Sequence, residues 1–416
     1  MTSFPAFSNP LSGHGIGLPP AGSPGANVWR AVLALAVVLV LLATTGWTAI
    51  REHDGTPGPY AAGLLAWEKG SIAGRSLPGP DDRPGSVARF FHSLSTSQQE
   101  RLADRYPLVV GNLGGAPVEL RYRANHTALL EARNVERKRM TDERLTDDGR
   151  HTAGRRMHRF ESMLQPGRQI LAFDPTGRGR AAEVFGNLDE ARRVSVVVPG
   201  VDTELLSFEK SERPYSAPSG MARALQERQR TAAPEVPTAT VAWADYTAPT
   251  GLGVEAASGN LAEDGAERLN DFVDALPGSR VALFCHSYGS VVCGDAADEL
   301  PQRVTDITAS GSPGMRVDHA DDLGTSARIW AVRDRDDWIA DVPHMEVGGL
   351  GHGADPVSPG FGARRLSANS AVGHTGYYVP GTDSLDNFAE IATGSYGAVT
   401  CATSDPGCLG VPTRSL

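Results

Sequence analysis

The stretch Val281-Ala282-Leu283-Phe284-Cys285-His286-Ser287-Tyr288-Gly289-Ser290 constrains the fold more than any other part of the chain. An apolar run stops abruptly at small and polar residues, and a second apolar segment of helical character runs from Ser290 towards Leu300. The pattern reads as strand, sharp turn and helix, with Ser287 at the apex. A serine on such a turn sits in strained backbone with its hydroxyl above the strand ends, where the first helical N–H groups face any oxyanion that forms. Strand and helix run close together there, so the turn demands small residues two positions before and two after the serine. Gly289 meets the second demand, while Cys285 stands where glycine is usual, as a small side chain that packs as a hydrophobe. Read blandly, the same pattern is a buried strand-to-helix turn with a capping serine.

The 416 residues are enough for one large core or two modest ones. The formal net charge of -10, with no concentrated basic face, argues against a nucleic-acid partner. The four cysteines form two close pairs, Cys285 with Cys293 and Cys401 with Cys408. Neither pair has C-x-x-C spacing, no cluster of histidines or carboxylates reads as a metal site, and no cofactor is expected. The 401/408 pair encloses a turn-rich loop that suits a disulfide if the domain lies outside the cytoplasm. Two unpaired thiols are the alternative.

Along the chain, residues 1–27 carry no Asp, Glu, Lys or Arg and are rich in Pro, Gly and Ser, as expected of a disordered tail. The run from Ala31 to Ile50 has no ionisable residue, and Arg30 and Arg51 fence it. Twenty such residues span about 30 Å, the thickness of a bilayer's hydrocarbon core, and Trp29 and Trp47 stand near its ends. Residues 28–50 are therefore expected to form a single transmembrane anchor, with a cleaved signal peptide and secretion as the alternative. The expected topology has a cytoplasmic N-terminus and an extracytoplasmic body. Residues 51–93, where Gly and Pro dominate, read as a tether holding one helix around 60–67. Residues 94–165 read as a helical lead-in or cap, starting at the capping box Ser95-Thr96-Ser97-Gln98. Within it, residues 124–164 alternate charge densely, as a solvated helical surface does.

From residue 166 the pattern changes. Strands are expected at 169–173 and 181–185, at the continuous apolar run Val194–Val198, at 240–243, before Ser287 and at 329–332; helices fall near 219–231 and 261–276. That rhythm implies an α/β fold, a mainly parallel sheet with helices on both faces, and ligands at the carboxyl ends of the strands. Three chemically suggestive spots lie there. Ser287 is the candidate nucleophile, which needs a base and a group to orient that base. The strand at 329–332 runs into Arg333-Asp334-Arg335-Asp336-Asp337-Trp338, and Asp337 is preferred as the acid, ahead of Asp336 and then Asp334. His374, in a glycine-flanked loop, completes the order serine, acid, histidine; His352 is its main rival, His344 a weaker one, and His286 reads as structural. The oxyanion hole is expected from the backbone N–H of Tyr288 and one from Val201 or Gly200.

These motifs, together with Val196-Val197-Val198-Pro199-Gly200-Val201, Asp355-Pro356 with Phe361-Gly362-Ala363, Gly373-His374-Thr375-Gly376-Tyr377, Leu108-Val109-Val110-Gly111-Asn112 and Ala124-Asn125, resemble an actinobacterial α/β-hydrolase family long catalogued as a domain of unknown function. The resemblance spans roughly residues 94 to 395. It implies an α/β-hydrolase fold over residues 166–416 and a serine hydrolase, and leaves the substrate open. The expected activity is hydrolysis of a small-molecule or lipid-like ester, with amide or peptide bonds open to the same constellation. The competing readings are a non-catalytic binder of lipid or cell-wall fragments and a scaffold recruiting a partner through residues 124–164. Oligomeric state is not legible.

Overall fold

The computed structural model describes residues 58–278, 280–405 and 407–409. The expected tail at 1–27 and anchor at 28–50 lie outside the described residues. Among the described residues no helix is long and apolar enough to cross a membrane.

The region before the sheet is helical. Helix α1 (Pro59–Glu68) leads through a small hairpin, β1 (Ser71–Ile72) and β2 (Arg75–Ser76), to α2 (Pro84–His92), α3 (Thr96–Arg105), α4 (Pro107–Asn112), α5 (Val118–Arg139) and α6 (Asp147–Met163). Ser95 and Gln98 close a reciprocal capping box at the start of α3, so two orphan amides are satisfied by local sequence. Residues 59–92, read from composition as a tether with one helix, carry two helices and the hairpin. The reason is aromatic burial: Trp67 and Phe91 are fully buried, with Val87, in a core shared with Val109, Val110, Leu120 and Ala124. Glycine and proline punctuate these short elements without preventing them from packing. The charged stretch 124–164 forms the solvent-facing parts of α5 and α6, but it also holds a buried pair, Arg156 Nε to Glu136 Oε1 at 3.0 Å.

The remainder is built on one eight-stranded sheet. In chain order it comprises β3 (Gln169–Asp174), β4 (Arg180–Gly186), β5 (Arg193–Val198), α7 (Pro218–Ala232), β6 (Thr238–Ala244), α8 (Val254–Ala257), α9 (Asn260–Ala275), β7 (Arg280–His286), α10 (Gly289–Ala296), β8 (Val304–Ser310) and β9 (Arg328–Val332). A second small hairpin, β10 (Glu346–Val347) and β11 (Leu350–Gly351), then precedes the edge strand β12 (Arg364–Arg365) and helix α11 (Asp383–Thr393). Across the sheet the order is β12-β9-β8-β7-β5-β6-β4-β3. Only β4 runs against the others.

Strand alternation sorts the core onto two faces. Val194, Val196 and Val198 of β5 and Val281, Leu283 and Cys285 of β7 pack with α9 and α10 on one side. Val197, Ala282 and Phe284 pack with α7 and α11 on the other. Cys285 thus points at α10, where it forms a disulfide with Cys293 across a Cα–Cα distance of 6.4 Å. The sequence reading treats Cys285 as a small hydrophobe, whereas the structure makes it one half of a covalent link between β7 and α10. Cys401 and Cys408 form the second disulfide.

Candidate active site

Ser287 follows the last residue of β7 and has φ of 55°, the left-handed region that costs a side-chain-bearing residue energy and is held only where the surroundings enforce it. Two close approaches do so. A Cβ on Gly289 would stand 2.3 Å from the carbonyl oxygen of Val198, so helix α10 can begin against β5 only with glycine there. A Cβ on Gly200 would stand 2.6 Å from the Ser287 Cβ and 3.0 Å from the Tyr288 nitrogen, which places the loop after β5 directly against the serine. The Ser287 N–H donates to the Ser310 carbonyl at the end of β8 (2.9 Å), and Ser290 Oγ donates to the Ser287 carbonyl at 2.6 Å. The Cys285–Cys293 disulfide ties the strand below this turn to the helix after it.

The fold brings His374 and Asp337 to this serine. His374 Nε2 lies 2.9 Å from Ser287 Oγ, and His374 Nδ1 lies 2.9 and 3.1 Å from the two carboxylate oxygens of Asp337. These contacts are all satisfied when Nδ1 carries the proton and Nε2 accepts from the hydroxyl. Asp337 leaves β9 and caps a short turn, its Oδ1 accepting from the Ile339 N–H at 2.9 Å. The Tyr377 hydroxyl donates to Oδ2 at 2.5 Å. Burial works to raise the Asp337 carboxyl, but the hydrogen bonds from His374 and Tyr377 outweigh it and hold the group below its ordinary range. Burial and the adjoining carboxylate push the Tyr377 hydroxyl the other way, so it remains a donor.

The other candidates take different places. Asp336 is exposed. Asp334 is buried, and its Oδ2 accepts from the N–H groups of Gly373 at 2.8 Å and Asp336 at 3.3 Å, so it anchors the loop that carries His374. His352 points to the Ala256 carbonyl at 2.7 Å, and His344 to that of Ser312 at 3.3 Å. His286 donates from Nε2 to the His374 carbonyl at 2.7 Å. Burial, reinforced by the neighbouring His374, lowers its pKa to about 3, so it is a neutral donor at physiological pH.

Beside the serine, the backbone amides of Tyr288 and Val201 have no protein acceptor among the described residues. Asp202, with φ of 59°, accepts the Gly251 N–H at 2.8 Å and so fixes the loop that presents Gly200 and Val201. No cluster of three or more His, Cys, Asp or Glu residues among the described residues could hold a metal ion.

From the sequence, Tyr377 and Gly311 carried no role, and Asp334 stood only as the third candidate for the acid. Tyr377 supports the acid, Asp334 anchors the histidine loop, and Gly311 makes room for both. At φ of 55°, a Cβ on Gly311 would lie 2.9 Å from Asp337 Oδ2 and 3.1 Å from His374 Nδ1. Tyr377 had a signal, its place three residues after the histidine, whereas Gly311 lies on a strand end that no periodicity singled out.

An uncharacterized protein of Mycobacterium tuberculosis is 27% identical over 382 residues, covering 76% of this chain and 57% of that protein. The chain therefore spans little more than half the length of this relative. Another uncharacterized protein, from Mycobacterium bovis, is 29% identical over 219 residues, covering 50% of this chain and 79% of the relative. Among solved structures, an α/β serine hydrolase without a lid from Xanthomonas campestris matches at 19% identity and TM-score 0.27, covering 42% of this chain and 74% of its own. The 2,6-dihydroxy-pseudo-oxynicotine hydrolase matches at 13% and TM-score 0.35, covering 80% and 96%. A model of the alpha/beta hydrolase family matches residues 174–347, from the end of β3 to the first strand of the hairpin after Asp337, and the chain has the α/β-hydrolase fold.

Proposed function

We propose that the chain is a serine hydrolase that cleaves carboxylic esters through a covalent acyl-enzyme on Ser287. The observation that carries this reading is the continuous set of hydrogen bonds from Ser287 Oγ through His374 to Asp337. His374 Nε2 takes the hydroxyl proton as Oγ bonds to the ester carbonyl carbon. The tetrahedral oxyanion is received by the Tyr288 amide and that of Val201 or Gly200, donors worth about 3–4 kcal/mol each in the barrier. His374 then returns the proton to the departing alkoxide as the carbon–oxygen bond breaks. Water, deprotonated by the same nitrogen, attacks the acyl-enzyme and releases the acid. Asp337 stays ionised throughout and stabilises the imidazolium that forms at each stage.

The chain is further proposed to act outside the cytoplasm, tethered through residues 28–50 or secreted after cleavage there. Two disulfides suit an oxidising compartment, and the apolar run at 31–50 suits an anchor.

The test is labelling with a fluorophosphonate probe alongside turnover of p-nitrophenyl esters. Wild type is expected to be labelled and active, and Ser287→Ala neither. Equal labelling of the two proteins would show that the nucleophile is another residue.

A further inference from the structure

The large hydrophobic side chains that remain in water are not scattered over the molecule. Eight of the eleven among the described residues sit on three loops that also build the site, at 245–258, 338–351 and 372–379. Val372 is 78% exposed, Leu252 67% and Val347 66%, while Ser287 itself is only 4% exposed. Each loop is tied to the reaction centre. The Trp338 ring lies 4.6 Å from that of His374, centroid to centroid. Leu350 is bridged to Ser258, whose carbonyl accepts the Tyr288 hydroxyl at 3.0 Å. Leu252 follows Gly251, whose amide is held by Asp202 beside the proposed oxyanion donors.

The β10–β11 hairpin is shaped to present apolar groups outward. Gly348 and Gly349, both at positive φ, form its tip, and a Cβ on either would meet nothing within 4 Å. Val347 and Leu350 flank that tip, and Arg316, 3.8 Å from Glu346, anchors its base. The helical region before the sheet is different in kind: α3 and α5 are joined at the surface by ion pairs of Arg123 with Glu100 and Asp104.

Exposed large apolar side chains concentrated on loops that also build a site mark a binding surface. Its position selects the occupant. Whatever docks here must still deliver an acyl group to Ser287, and a protein seated across the three loops would close the site. An aliphatic chain leaving a lipid aggregate satisfies both conditions. We infer that this apolar collar takes esters of long acyl chains from a lipid phase, the aliphatic chain lying against Leu252, Val347 and Leu350 while the ester carbonyl enters beside Gly200. The inference rests on the serine-hydrolase reading and specifies its substrate class.

The test uses the full chain with p-nitrophenyl acetate, octanoate and dispersed palmitate, comparing wild type with Val347→Ser/Leu350→Ser and with Leu252→Ser. Each methylene that gains burial is worth about fourfold in transition-state binding. Wild type is therefore expected to prefer octanoate and palmitate over acetate in kcat/KM by tenfold or more. The substituted proteins are expected to lose most of that preference while acetate turnover stays within about twofold. A preference for acetate in wild type, or an unchanged chain-length ratio in the variants, overturns the substrate class but leaves the hydrolase reading intact if Ser287 is still labelled by fluorophosphonate. Absence of labelling with no turnover of any ester removes both. A change of oligomeric state in the hairpin variants with the ratio unchanged assigns the collar to contact between copies and also overturns the inference.

Discussion

The turn that holds Ser287 and the hairpin at 346–351 stand close together in the fold and are built on opposite principles. The turn is fixed from every side: β5 and β8 flank β7, Gly200 and Gly289 admit no side chain, and a disulfide joins the strand below to the helix above. The hairpin has two residues in each strand, a glycine tip in open solvent, and apolar side chains turned outward. The contrast separates two requirements. Atoms that exchange a proton must be held to fractions of an ångström, which needs packing on all sides. A surface that receives a varied, flexible chain needs only apolar area, which a loosely supported hairpin supplies.

Breaking the rigid side should have the largest effect. Ser287→Ala or His374→Ala is expected to lower kcat for a soluble ester by about 10⁴-fold or more, and Asp337→Asn by about 10⁴-fold, with melting temperature little changed. A fall of less than tenfold for Asp337→Asn would transfer the role of acid elsewhere. Acid provides the next test. The native state keeps His286 neutral down to about 3, whereas the unfolded chain takes up a proton below about 6.5, so the unfolded state binds more protons in that window. Stability should therefore fall as pH drops from about 6.5 towards 3. Urea titrations across that window should show the slope, and His286→Asn should flatten it. Asp337, whose carboxyl is depressed, adds a loss in the same direction at the lower end, as pH falls through its native value.

Replacing Cys285 and Cys293 by alanine should cost about 2–3 kcal/mol of unfolding free energy, as expected for a closed loop of this size. If activity falls further than stability accounts for, the link also positions the serine. Tyr377→Phe removes one hydrogen bond to an ionised carboxylate, worth about 1.5–3 kcal/mol. The expected result is a drop in kcat of tenfold or somewhat more, with KM retained. The smallest effect belongs to the hairpin. Val347→Ser should change unfolding free energy by no more than about 0.5 kcal/mol, because that side chain is already largely in water. A larger loss would mean that the hairpin is packed in solution and that the contrast is weaker than the geometry indicates.

Much of this fold is legible before any coordinates. Apolar runs at 194–198 and 281–284 read as buried strands, and the observed β5 and β7 extend them by one and three residues. Serine, acid and histidine order put Ser287, Asp337 and His374 forward together, and those three side chains meet. Strand β8 was missed because Val304–Ser310 reads as mixed polar and apolar; Asp306 is buried with partners that the local pattern does not reveal, the Trp330 Nε1–H that it accepts at 3.0 Å and the Tyr396 hydroxyl at 2.7 Å. Burial of Trp67 and Phe91 was equally hidden, since glycine and proline content says how a chain turns and not what its aromatic residues meet.

By itself, then, the sequence determined where most strands of the sheet and its longer helices lie and which kinds of residue reach the carboxyl edge of the sheet, because periodicity and turn chemistry are local properties. Only the tertiary structure decided which of three neighbouring aspartates faces the imidazole, that Tyr377 and Gly311 complete its surroundings, that Cys285 meets Cys293, and that most of the exposed large apolar side chains fall on loops that build the site. Those facts depend on distances between residues tens of positions apart, and such distances exist only once the sheet has assembled.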